Sequence, residues 1–118
     1  MARAATVRAT SIDGLTLIER RPHVDDRGTL DRLFDDEEIG RLLPGFRTFQ
    51  VNHSVTRRRG TVRGMHYQTP PNADAKVITC LRGRVFDVAV DVRHGSKTFL
   101  RWHAEVLEPG KNRSFVIP

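Results

Sequence analysis

The sequence predicts an all-β chain, an antiparallel sandwich or jelly roll with one short helix, and three observations carry that expectation. Twofold alternation is clear at residues 86–92, where Phe86, Val88, Val90 and Val92 fall on one face and Asp87, Ala89 and Asp91 on the other. Turn signals such as Arg82-Gly83 and Glu108-Pro109-Gly110 arrive at short intervals. Apolar residues at helical spacing are confined to one segment, residues 35–43.

Each element follows from its residues. A first strand is expected at residues 15–18, entered from Asp13-Gly14. Residues 35–43 place acids first and Arg41 late, with Ile39, Leu42 and Leu43 on one face. Asp35 or Asp36 caps this helix and Pro44-Gly45 stops it. The period then becomes twofold: Phe49, Val51 and Val55 alternate with Gln50, Asn52 and Ser54, which predicts a strand with one apolar and one amide-bearing face. Further strands are expected at residues 77–81, 86–92, 100–106 and 114–117. The last reaches Pro118 with no closing partner after it, so it is expected to form an edge, open or paired with another molecule.

Composition narrows the function classes. With 118 residues the chain suits a single domain, residues 1–118, and 38% hydrophobic against 29% charged residues describes an ordinary globular one. No apolar run approaches the roughly 20 residues of a membrane-spanning helix, and the start has no apolar core of a secretory signal. The single cysteine, Cys80, has no partner within the chain, which makes a reducing cytoplasm the expected compartment. A net charge of +6 invites a nucleic-acid reading. The densest basic run, Arg57-Arg58-Arg59, is short and lacks interleaved aromatics, so it reads as a solvated turn and no nucleic-acid partner is expected. The excess charge suits a small polyanionic ligand equally well.

The stretch richest in chemistry is Arg63-Gly64-Met65-His66-Tyr67-Gln68, followed by two prolines and Lys76. In a regular strand Arg63 and His66 point to opposite faces, and Gly64 offers a bulge that brings both to one side. His66 is either a satisfied histidine on a polar face or a base able to accept a proton from an acidified carbon. Lys76 is either a solvent-facing strand residue or a cation that stabilises a developing enolate oxygen. Arg63 and Arg27 each suit a bidentate grip on a diphosphate, or a structural ion pair, Arg27 having Asp25 and Asp26 beside it. Metal sites on jelly rolls want a His-x-His or a His–carboxylate set. The corresponding triplet here is His66-Tyr67-Gln68 and the other histidines are scattered, so no metal is expected.

Five motifs in register resemble the dTDP-4-dehydrorhamnose 3,5-epimerase family: Asp26-Arg27-Gly28, Phe49-Gln50-Val51-Asn52-His53-Ser54, residues 62–68, Lys76-Val77 and residues 85–93. The resemblance implies a cupin-type jelly roll acting on a dTDP-4-keto-6-deoxyhexose, with inversion at C3 and C5. It implies His66 as the base, Lys76 as the group that steadies the C4 enolate, and Arg63 on the nucleotide diphosphate. Arg27, Gln50 and Asn52 map to the nucleotide-sugar site. It further implies no metal or organic cofactor, and a homodimer.

Two departures from the family pattern stand out. Arg32 occupies a position that commonly holds glutamate, with Asp31 beside it. The family also continues past Ile117-Pro118 to a Gly-x-x-His-Gly segment, a tyrosine and an aspartate, so the chain is expected to be the N-terminal part of the family domain. The expected activity is therefore a sugar-nucleotide epimerase. The alternatives are a truncated cupin that binds nucleotide-sugar without turnover or serves as an interaction domain, and, further off, a nucleic-acid surface at residues 57–59.

Overall fold

A four-stranded antiparallel sheet organises the first of two units in the computed structural model, which describes residues 5–48 and 50–118. This unit comprises Met1–Asp35 and Ala75–Pro118, and the second comprises Asp36–Asp74. The sheet contains β1 (Ala5–Ala9), β2 (Thr16–Arg20), β5 (Lys76–Thr79) and β8 (Arg113–Ile117), in the order β1-β2-β8-β5. Between β2 and β5 in sequence lie the hairpin of β3 (His23–Asp25) with β4 (Gly28–Leu30), and the helix α1 (Asp36–Leu42) of the second unit. A separate ribbon pairs β6 (Val85–Val90) with β7 (Trp102–Leu107).

The core follows from the alternation in β2 and β8. Leu17 lies directly opposite Phe115, and the two pack with Ile12, Leu15 and Leu107 in a cluster that excludes solvent. Each such burial contributes about 1.5–3 kcal/mol. Helix α1 carries Asp36, Glu37 and Glu38 in its first turn and Arg41 in its last, so its side-chain charges oppose the helix dipole. Ile39 is its buried residue.

The strands expected at residues 15–18, 77–81, 86–92, 100–106 and 114–117 are all present with shifted ends, as is the helix. Two expectations fail. Residues 50–55 form no strand: Val51 is 89% exposed and pairs with nothing, so the alternation there has no sheet to bury its apolar half. Phe49 lies outside the described residues. The last strand is not an edge, because β8 sits between β2 and β5 and is paired on both sides. The alternation at residues 86–92 left open which face turns inward, and β6 turns the reverse of the usual way: Phe86 is 68% exposed, while Ala89 packs on the core and Asp91 is buried. Strands β1, β3 and β4 were not expected. Their sequences are short and interrupted by charge, as in Arg8 and Asp25.

Asp91 explains the reversal at the end of β6. Its carboxylate accepts hydrogen bonds from the Arg93 backbone N–H, Nε and Nη2, each at 3.0 Å, from Thr98 Oγ1 at 2.6 Å and from Ser96 Oγ. Arg93 Nη2 also donates to the Asp13 carbonyl, and Thr98 Oγ1 accepts from the Asp13 N–H at 3.3 Å. The loop from β6 to β7 is thereby fastened to the turn that precedes β2. Glu105 on β7 joins a second network, with His103 Nε2 at 2.9 Å and the guanidinium groups of Arg8 and Arg113 at 3.7 and 3.8 Å.

Candidate active site

The six residues singled out in the sequence divide between the two units. Arg27 and Lys76 belong to the first, and Gln50, Asn52, Arg63 and His66 to the second.

Arg27 sits in the two-residue turn of the β3–β4 hairpin, where Asp25 pairs with Gly28. Its N–H donates to Asp25 Oδ1 at 2.8 Å and its Nη2 to Oδ2 at 2.7 Å. This side-chain bond from Arg27, with its backbone bond, holds the Asp25 carboxyl below its ordinary range. The guanidinium is otherwise 90% exposed, so its remaining donors face outward. A buried polar chain fixes the segment that follows the hairpin. Asp31 accepts from Arg20 Nε at 2.9 and 3.0 Å, Arg20 Nη1 donates to Ser114 Oγ, and Ser114 Oγ meets Thr79 Oγ1 at 2.6 Å. A cavity of about 380 Å³ opens beside this chain, lined by Arg20, Asp31, Thr79 and Cys80 among others, and none of the six residues lines it.

Lys76 opens β5, opposite Ile117 of β8, and is half-buried. Its positive charge reaches Asp87 on β6. Burial pushes the Asp87 carboxyl up, while the Val88 N–H and the Lys76 charge pull against that shift. Asp87 is thus a carboxylate of the Lys76 environment, whereas in the sequence it is legible as the polar half of an alternating strand and as part of the motif at residues 85–93.

In the second unit, Asn52 Nδ2 makes a long contact of 3.5 Å with Gln50 Oε1, and both side chains are exposed. Arg63 and His66 are likewise exposed, and among the described residues no hydrogen bond joins them. The bulge expected at Gly64 does not form, because no strand passes through residues 63–68. Gly64 instead takes φ +112°, and a Cβ built there would lie 3.6 Å from His66 N and Nδ1, which is ordinary contact. Glycine is therefore required by the backbone and not by crowding. Gly64→Ala is expected to destabilise the protein by about 1–2 kcal/mol through this strain. A fall in the urea midpoint at unchanged m-value would report it, and an unchanged midpoint would show that the segment relaxes freely. The basic run 57–59 is exposed, and a turn follows in which Thr61 Oγ1 donates to the Arg58 carbonyl at 2.8 Å, as a solvated turn requires.

Among the described residues, no three His, Cys, Asp or Glu side chains gather as metal ligands, and no helix is long and apolar enough to cross a membrane.

Residues 9–118 match the family described as dTDP-4-dehydrorhamnose 3,5-epimerase. A curated member from Streptomyces griseus is 42% identical over 105 residues, covering 86% of this chain and 51% of that protein. A crystal structure of dTDP-6-deoxy-D-glucose-3,5-epimerase from Legionella pneumophila Philadelphia 1, in complex with dTDP-4-keto-L-rhamnose, aligns with TM-score 0.88. It is 37% identical and is matched over 97% of this chain and 60% of its own. A 3'-monoepimerase from Streptomyces bikiniensis in complex with dTDP-quinovose aligns with TM-score 0.82 at 37% identity, over 92% of this chain and 55% of its own. The cupin-type jelly roll of these proteins is the fold to which the antiparallel strands described above belong. The chain spans a little over half the length of the relatives it matches. On a match that runs almost from end to end, the chain belongs to the dTDP-4-dehydrorhamnose 3,5-epimerase family.

Proposed function

We propose that residues 1–118 form a cupin-like epimerase domain, the N-terminal part of the family domain, that inverts carbons flanking the C4 ketone of a dTDP-4-keto-6-deoxyhexose. The observation that carries this reading is the likeness to an epimerase solved with dTDP-4-keto-L-rhamnose. The five motifs stand in the family's order within the matched residues. The ketone acidifies the protons on both neighbouring carbons, so one base and one enolate stabiliser serve two centres in turn. In this mechanism His66 takes the proton, and the Lys76 ammonium faces the charge that develops on the C4 oxygen. Arg63 and Arg27 neutralise the diphosphate, and Gln50 and Asn52 supply amide contacts to the nucleotide-sugar. The exposed donors of Arg27 are available for that role. The net charge of +6 favours such a dianionic ligand. The reading carries with it a homodimer and a cytoplasmic site of action, and it requires no metal or organic cofactor.

Solvent deuterium exchange into dTDP-4-keto-6-deoxyglucose tests the proposal. Exchange at C3 and C5 is expected. Exchange at C3 alone would assign the chain to the monoepimerases, in line with the relative from Streptomyces bikiniensis. Binding of the dTDP-sugar without exchange at either carbon would replace the epimerase reading with that of a nucleotide-sugar binder.

A further inference from the structure

Apart from the six candidate residues, the first unit sets a serine, a histidine and a glutamate in line. Ser11 Oγ lies 3.3 Å from His103 Nδ1, and His103 Nε2 lies 2.9 Å from Glu105 Oε1. His103 and Glu105 are two apart on β7, so their side chains stand on one face of that strand. Ser11 comes from the turn between β1 and β2, 92 residues away in sequence. The direction of the bonds follows from the partners. A carboxylate only accepts, so the proton of a neutral imidazole is held on Nε2. Nδ1 is left with its lone pair, and the Ser11 hydroxyl donates to it. A hydroxyl bonded to a base whose far nitrogen is fixed by a carboxylate is the arrangement that activates a serine nucleophile.

Each member is held in place by its surroundings. The His103 ring tilts against the Phe115 ring at 6.2 Å between centroids, and the Arg8 and Arg113 guanidinium groups flank Glu105 at 3.7 and 3.8 Å. The turn is fastened without Ser11: Thr10 Oγ1 donates to the Leu15 carbonyl at 2.8 Å, and Asp13 bonds to Thr98 and Arg93. Ser11 is therefore not needed to tie the turn down, and it is exposed. The N–H groups of Thr10, Ile12 and Asp13 are all engaged. The Ser11 N–H makes no hydrogen bond among the described residues and is the donor available beside Oγ. We propose that Ser11, His103 and Glu105 form a second reactive site, in which Ser11 accepts the acyl group of small activated carboxylic esters and water releases it. Ser11 and His103 touch the substrate, and Glu105 is a positioning residue. Oγ attacks the carbonyl carbon as its proton passes to Nδ1, and the developing oxyanion faces the Ser11 N–H. The bond to the leaving oxygen then breaks with its electron pair, and that oxygen collects the proton from Nδ1. Water adds to the acyl-serine and gives a proton to Nδ1, which returns it to Oγ as the carboxylic acid leaves. The cavity of about 380 Å³ is lined by other residues, so an exposed Ser11 draws little binding energy from its substrate. That restricts the site to small esters with good leaving groups.

The probes are p-nitrophenyl acetate and an alkyl fluorophosphonate, applied to this chain at neutral pH. The ester is expected to release p-nitrophenolate in a burst and to leave an acetyl group on the peptide that holds Ser11. The fluorophosphonate is expected to phosphonylate the same hydroxyl, with fluoride leaving as the Oγ–P bond forms. Ser11→Ala, at an exposed position, is expected to retain the circular dichroism of the parent and to lose both labels. His103→Gln is expected to slow labelling of Ser11 by about 10²–10⁴. Glu105→Gln offers Nε2 a donor or an acceptor, so it is expected to slow labelling at least about tenfold. In that variant the His103 ¹⁵N resonances should move from the Nε2–H form towards a mixture of tautomers, a change that loss of packing alone would not produce. Acyl groups found on lysines or on Cys80 with Ser11 unmodified overturn the proposal, and so does Ser11 labelling that persists at full rate in a folded His103→Gln. None of the three residues belongs to the proposed epimerase site, so the outcome is independent of that activity.

Discussion

Asp91→Asn is expected to lower stability by about 2–3 kcal/mol, the loss that follows when a buried carboxylate gives up charge-assisted hydrogen bonds to a half-exposed guanidinium. The carboxylate is fully buried, and it gathers three donors from Arg93 and the hydroxyls of Ser96 and Thr98. An amide is isosteric but uncharged, and at either oxygen position its NH2 would face an Arg93 N–H group, which has no lone pair to offer. The same group sets an acid limit. The Arg93 side chain, with the Ser96 and Thr98 hydroxyls, holds the Asp91 carboxyl far below the usual carboxylate range against the opposing effect of burial. Because the folded value is depressed, this contribution is fully present above the unfolded value of about 3.9 and is lost as pH falls through the folded value. Denaturant titrations from neutral pH down to about pH 2 should show the wild type losing stability in acid more steeply than the variant, with the divergence beginning below about 4. Parallel curves for the two proteins would exclude Asp91 as the source.

His66→Ala is expected to slow deuterium exchange at C3 and C5 by about 10²–10⁴, the contribution of a positioned general base. Its effect should fall on kcat and leave binding of dTDP in place, since a base that acts on carbon takes little part in holding the nucleotide. Lys76→Met is expected to behave alike, with a loss of about 10²–10³ from the unstabilised enolate oxygen. Arg63→Ala is expected to split the other way, raising KM with a smaller change in kcat, because a diphosphate contact serves ground state and transition state together. These patterns separate the two groups proposed for the chemical step from the one proposed to hold the diphosphate, with one assay and one binding measurement. Exchange that persists undiminished in His66→Ala would remove the base from the mechanism.

Local pattern revealed the strands whose alternation is strong, such as β6 and β7, and the helix whose acids precede its base. It did not reveal sheet order. The place of β8 between β2 and β5 is set by Leu17, Phe115 and Ile78, which meet only in the folded chain. Nor did alternation say which face turns inward. Phe86 is exposed and Asp91 is the buried residue, because its hydrogen bonds with Arg93, Ser96 and Thr98 offset the cost of burying it. The candidate site was readable as residue types in register with a family, while its local conformation was not. Gln50, Asn52, Arg63 and His66 lie on irregular backbone where strands were expected. Asp87 escaped notice because its half-buried setting near Lys76 exists only once the ribbon is placed.

The interior position of β8 has a consequence for how the chain is made. Leu17 waits for Phe115, about a hundred residues further along, and at roughly 5–20 residues per second the ribosome needs about 5–20 s to deliver it. During that interval β2 has one open edge and its apolar side chains lack their cover. Pairing so distant in sequence also slows closure once residues 113–117 emerge. The β1–β2 hairpin can form early from neighbouring residues, but the sheet becomes a single cooperative structure only when residues 113–117 slide between two strands already waiting on either side.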